Sequence, residues 1–85
     1  MPIISRFYGI IIMMYWHDHS PPHFHVRYGE HEIEMNIRDG LIRGTMPRRA
    51  LAMVQAWRKT HLAELLANWE FAQAGEPLAG IRPLE

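Results

Sequence analysis

The chain has 85 residues, 48% of them hydrophobic and 11% aromatic, with nine basic and nine acidic side chains. That length allows a single domain over residues 1–85 with a small core, burying little more than ~60% of its unfolded surface. The zero net charge excludes a global pull toward nucleic acid or membrane, and the lack of cysteine excludes disulfides, zinc ribbons and thiol catalysis.

The opening "MPIISRFYGIIIMMYW" carries neither a basic n-region nor a small-residue cleavage site, so it does not read as a signal peptide. Its apolar stretch from Phe7 to Trp16 is about half the ~20 residues a membrane helix needs. The expectation is a cytoplasmic protein that does not enter the membrane. Ile10 to Trp16, β-branched and aromatic, predicts a strand with two apolar faces. Gly9 marks a bulge or a close approach. "HDHSPP", residues 17–22, predicts a loop held extended by Pro21 and Pro22.

His23 to Tyr28 alternates, with Phe24, Val26 and Tyr28 on one side and His23, His25 and Arg27 on the other. Glu32 to Arg38 repeats the alternation. Gly29-Glu30 suits a two-residue hairpin, which sets Tyr28 opposite His31, Val26 opposite Ile33 and Phe24 opposite Met35. On the other face Arg27 meets Glu32, His25 meets Glu34 and His23 meets Asn36. Asp39-Gly40 predicts a second tight hairpin, with Ile37 opposite Ile42, Asn36 opposite Arg43, and a short fourth strand from Leu41 to Thr45.

Pro47 fits the first turn of a helix, with Thr45 as its cap. Ala50, Met53, Val54 and Trp57 recur at helical spacing, and a break is expected near Lys59-Thr60-His61. Leu62, Leu65, Leu66, Trp69 and Ala72 mark a second helix that Gly75 ends. Leu78, Ile81 and Leu84 fall every third residue in the tail, which suits an arm crossing the core or docking on a partner. The predicted fold is α+β: a four-stranded antiparallel β-meander covered on its apolar face by two C-terminal helices. Trp57 and Trp69 are expected in the core, and Trp16 at the surface beside the histidine loop.

Three chemistries compete for the polar residues. His17, His19, His23 and His25, with Asp18 between them, could ligate zinc, nickel or copper. The bland reading is that His23 and His25 sit on a polar sheet face, satisfied by Glu34 and Asn36. His23 and His25 with Arg27 and Arg43 could instead hold and cleave a phosphodiester, although Glu32 and Glu34 weaken the field there. Binding of DNA or RNA without chemistry would draw on Arg27, Arg43, Arg48, Arg49, Arg58 and Lys59. Arg48 and Arg49 sit where basic side chains oppose the helix dipole, which suits an anion or an acidic partner.

The segments "MPIISRFYGIIIMMY", "DHSPPHFHVRYGE", "MPRRAL" and "LLANWEFAQAGEPL" together resemble a family of small bacterial proteins known as domain of unknown function 4160. Its D-H-x-P-P-H-x-H core falls on Asp18, His19, Pro21, Pro22, His23 and His25, and His17 lies outside it. The resemblance implies a gene that neighbours a second small gene, in a toxin–antitoxin-like pair, and some members carry the label of transcriptional regulator. It implies no catalytic residues. The leading expectation is a small interaction protein that binds the product of the neighbouring gene, with DNA or RNA as a further candidate partner and a homodimer as a candidate assembly. Its binding face would comprise His19, His23, His25, Arg27, Glu34, Arg43, Arg48 and Arg49, and it would need no cofactor. The alternative is a metal-binding or phosphodiester-hydrolysing protein using His19, His23 and His25, with zinc as the candidate metal.

Overall fold

The computed structural model describes residues 2–85. Five strands precede two helices: β1 (Ile3–Phe7), β2 (Ile10–Met13), β3 (His23–Tyr28), β4 (His31–Asn36), β5 (Ile42–Arg43), α1 (Arg48–Thr60) and α2 (Leu62–Gln73). The strands form one antiparallel sheet in chain order. The architecture is therefore the expected α+β meander, with a fifth strand that the sequence pattern concealed.

The concealed strand is β1. Tyr8 and Gly9 both take positive φ, +50° and +80°, which closes a two-residue turn whose twist matches its flanking strands. Phe7 then faces Ile10. The register shifts between Ile3 and Ser5, and the extra residue leaves both Ile4 and Ser5 buried, as a bulge does. The strand expected over Ile10–Trp16 ends at Met13, and Tyr15 and Trp16 leave the sheet.

The β3–β4 hairpin has the predicted register at all six pairs, from Tyr28–His31 to His23–Asn36. The β4–β5 register does not follow the prediction. Arg43 lies opposite Glu34, and Ile42 opposite Met35, each two residues from its expected partner. Asp39-Gly40 is not a two-residue hairpin. Asn36 N–H donates to the Leu41 carbonyl at 2.9 Å and Gly40 N–H to the Asn36 carbonyl at 3.1 Å, which closes a longer loop and turns Ile37 into the core. A slip of two residues preserves the alternation, so Arg43 stays on the expected face.

That loop is gripped by α1. Arg58 Nη1 donates to the Ile37 and Arg38 carbonyls at 2.9 and 3.3 Å, and its Nε to Gln55 Oε1 at 2.9 Å. Gln55 Nε2 donates to the Gly40 carbonyl at 2.9 Å. A Cβ on Gly40 would stand 2.6 Å from Gln55 Oε1, so the close approach of helix to loop depends on glycine. Arg58, a candidate nucleic-acid contact from the sequence, is buried and serves this clamp.

One apolar cluster joins the sheet residues Phe24, Val26, Ile33 and Met35 to Val54, Trp57, Leu65 and Trp69 of the helices. Trp57 is fully buried between Phe7 and Phe24, at ring distances of 5.5 and 5.8 Å, and its indole N–H donates to the Arg82 carbonyl at 2.9 Å. Thr45 does not cap α1; Pro47 occupies the cap position without a side-chain bond. The helices break at His61, within the expected segment. The tail crosses the molecule's own core. Asn68 pins Ala79 through both of that residue's backbone groups, Ile81 is buried, and its N–H donates to the Ile4 carbonyl at 2.8 Å. Among the described residues no helix is long and apolar enough to cross a membrane.

Candidate functional site

The opposite face of the sheet carries Arg6, Ile11 and Met13 on its first two strands, with Met13 buried, and its charged part lies on the later strands. It carries Arg27 paired with Glu32 at 3.5 Å and Arg43 paired with Glu34 at 3.0 Å. At its end, where β3 begins, the histidine loop folds back on the strand.

Tertiary contacts set the path of that loop. His17 takes φ +56°, and its N–H donates to the Ala72 carbonyl at 3.2 Å. Gln73 Nε2 donates to the Asp18 carbonyl at 3.1 Å, and Trp16 Nε1 to the Glu76 carbonyl at 2.7 Å. The end of α2 thus holds residues 16–18 in place. The Asp18 side chain receives His23 Nε2 at 3.0 Å and His25 Nε2 at 3.1 Å on the same oxygen, Oδ2. Its other oxygen accepts the His19 backbone N–H at 2.9 Å.

The two histidines are expected to be satisfied by Glu34 and Asn36, and the structure corrects this. Asp18 is the near acceptor for both. Glu34 Oε1 stands 3.9 Å from His23 Nε2, and Asn36 Oδ1 finds no partner among the described residues. Asp18, named in the sequence only as the acid between the histidines and the first residue of the family-like core, is not among the expected binding residues. Its sequence signals are an acid embedded in "HDH" and its place in the family-like core, and neither shows that the backbone turn that aims it is set by α2.

Each ring has a distinct environment. His23 is fully enclosed. Trp69 lies 5.4 Å away, the stacked His19 ring 4.9 Å and the His25 ring 5.3 Å. His25 meets the edge of Tyr15 at 4.5 Å and lines a surface depression of about 380 Å³ with Tyr15, Glu32, Glu34 and Arg43. The His19 side chain is 70% exposed, and its Nε2 lies 3.7 Å from Asp18 Oδ1. His17 rests against Gly75, outside the cluster.

Burial acts to raise the Asp18 carboxyl pKa. The His25 hydrogen bond, the His19 backbone N–H and the nearby imidazoles outweigh burial and hold it below the ordinary value. The Arg43 hydrogen bond holds Glu34 below its ordinary value, against burial and with help from His23 and His25. Both groups are therefore carboxylates at neutral pH.

The polarity of the hydrogen bonds then constrains His23. Its Nδ1 lies 2.8 Å from the Pro21 carbonyl, which can only accept, so Nδ1 carries a proton. Neutral imidazole would then present a bare lone pair at Nε2, directed at a carboxylate oxygen. Such a pair of acceptors needs either a second ring proton on Nε2 or a metal ion between them. Donor atoms of Asp18, His23 and His25 all lie within 4.8 Å of one another, as do those of His19, His23 and Glu34.

The expected binding residues thus separate. His19, His23, His25, Glu34 and Arg43 gather around this cluster, and Arg27 lies two residues along β3 from His25. Arg48 and Arg49 are exposed at the start of α1. Arg49 lines a different depression with Tyr8, Tyr28, Pro47 and Met53, which shares no lining residue with the one beside His25.

Fold and site together define a small α+β protein with an aspartate–histidine–histidine centre at the end of an open sheet face. Residues 9–70 match the family described as a domain of unknown function, DUF4160. The match spans most of the chain, and the chain belongs to that family. No curated relative and no solved structure matches it.

Proposed function

We propose that the protein is a cytoplasmic interaction module, one component of a toxin–antitoxin-like two-gene pair. It offers the open face of its sheet to the product of the neighbouring gene. The observation that carries this reading is the unequal cover of the two faces. The apolar cluster takes up one face with both helices and the tail. The other keeps Arg27, Glu32, Arg43 and Glu34 at the surface as an alternating charge array, with side-chain exposures from 32 to 49%. Such an array selects a partner by charge complementarity. The gene pairing that the family resemblance implies supports the same reading.

A protein partner is favoured over nucleic acid because two of the three arginines on the face, Arg27 and Arg43 but not Arg6, are engaged by glutamates, which weakens the field for phosphate. The same pairing and the enclosure of His23 count against phosphodiester hydrolysis. Co-expression with the neighbouring gene product tests the proposal. A stable complex is expected, and the double reversal Glu34→Arg with Arg43→Glu is expected to weaken it. Loss of the complex with the single reversals but not with the double one would identify that pair as internal rather than interfacial. Absence of any complex overturns the reading. Light scattering of the isolated protein separates this outcome from a homodimer that occupies the same face.

A further inference from the structure

We propose that Asp18, His23 and His25 form a binding site for a divalent transition metal of the zinc class. This does not depend on the partner reading above. Three observations carry it. First, the His23 tautomer is fixed from behind. Its Nδ1–H is held by the Pro21 carbonyl at 2.8 Å, and a backbone carbonyl behind one ring nitrogen is the usual way to aim the other nitrogen at a metal.

Second, three donors converge. His23 Nε2 and His25 Nε2 stand 3.0 and 3.1 Å from Asp18 Oδ2. Bonds of ~2.0–2.1 Å in a tetrahedron place neighbouring donors about 3.3 Å apart, so a small outward movement admits the ion. His25 supplies its lone pair at Nε2 as the Nδ1–H tautomer.

Third, the surroundings are graded. His23 is wholly enclosed, while His25 and Asp18 are 13% and 18% exposed. The ion would thus have a solid wall on one side and an approach on the other. Two imidazoles and one carboxylate suit zinc, cobalt, nickel or copper and not magnesium or calcium. Three protein donors leave a further coordination position. On the open side, the depression beside His25 contains Glu34, held by Arg43 at 3.0 Å.

His19 is the competing ligand, because His19, His23 and Glu34 also approach one another. The exposed His19 ring stacks on His23 at a centroid distance of 4.9 Å and has no hydrogen bond to Oδ2. Asp18 is therefore the third donor.

The test is calorimetric titration of untagged, chelator-treated protein with zinc(II), with magnesium(II) as the control. Cobalt(II) supplies a visible spectrum, and quenching of Trp69 by cobalt(II) supplies a second readout. One zinc per chain is expected, with no magnesium heat and a cobalt spectrum of low coordination number. Asp18→Asn and His25→Ala should each weaken zinc binding by about 100-fold or more, at least the loss typical of an outer-shell partner. His19→Ala should leave it within about threefold, and circular dichroism should show all three variants folded. A large loss in His19→Ala with none in Asp18→Asn overturns the assignment of Asp18. No zinc binding by the folded native chain overturns the site, and nitrogen NMR showing His23 protonated on both ring nitrogens would identify a buried ion pair in its place.

Discussion

Among the buried polar groups of this molecule, Arg58 and His23 are completed in opposite ways. At the β4–β5 loop, Arg58 is buried with donors that meet fixed acceptors: the carbonyls of Ile37 and Arg38 and the amide oxygen of Gln55. Everything that cluster needs is supplied by the chain. At the head of β3, His23 is equally buried, but its free nitrogen faces Asp18 and, further off, Glu34. That cluster needs a proton or a metal that the chain cannot supply. The first arrangement fixes a loop whatever the solution contains. The second makes the composition of the solution part of its stability.

Variants and conditions can set the two clusters apart. Arg58→Ala has the largest expected effect, about 3 kcal/mol of unfolding free energy, because it strands buried carbonyls. Urea titration should find the same loss with and without zinc. Zinc at about 100 times its dissociation constant should stabilise the native chain by ~2.7 kcal/mol. Asp18→Asn should abolish that gain, measured as a lost shift in the melting temperature. Gly40→Ala strikes the clamp through its backbone. With φ at +73° and Gln55 Oε1 2.6 Å from the new Cβ, it should cost about 1–2 kcal/mol, again independent of zinc.

Acid should reach the histidine cluster first. Folded Asp18 and Glu34 bind protons less readily than in the unfolded chain, whose ordinary values are 3.8 and 4.5. Their contribution is complete above about pH 4.5 and is lost as the pH falls through that value and below the depressed folded values. Acid titration of metal-free Asp18→Asn and Glu34→Gln should show a flatter decline than the native chain. The smallest effect belongs to Arg27→Ala. Its exposed pair with Glu32 should be worth under ~0.5 kcal/mol by chemical denaturation.

The same contrast governs how much was legible in the sequence. The β3–β4 register could be read because alternation and a glycine turn are local signals, and six pairs agree with each other. The β4–β5 register could not, because Asp39-Gly40 imitates a tight hairpin while Arg58, some twenty residues away, sets the actual loop. β1 was concealed because Tyr8-Gly9 is not a common hairpin pair and the apolar run continues past it. At the candidate site, the H-x-H spacing brings His23 and His25 together as expected. The role of Asp18 depends on the Ala72 and Gln73 contacts that set its turn, and no local pattern encodes those.

The contact between Ile81 and Ile4 has a bearing on assembly. An open sheet invites extension by a strand from another molecule, and such sheets must shield their margins. Here β5 is two residues long, too short to template much pairing. At β1 the carbonyl of Ile4 is taken by the chain's own tail, beside a bulge that already interrupts the ladder. With both margins blunted, growth by strand addition is disfavoured. A partner docking as proposed would meet the broad side of the sheet, and its recognition would rest on side chains rather than on backbone pairing.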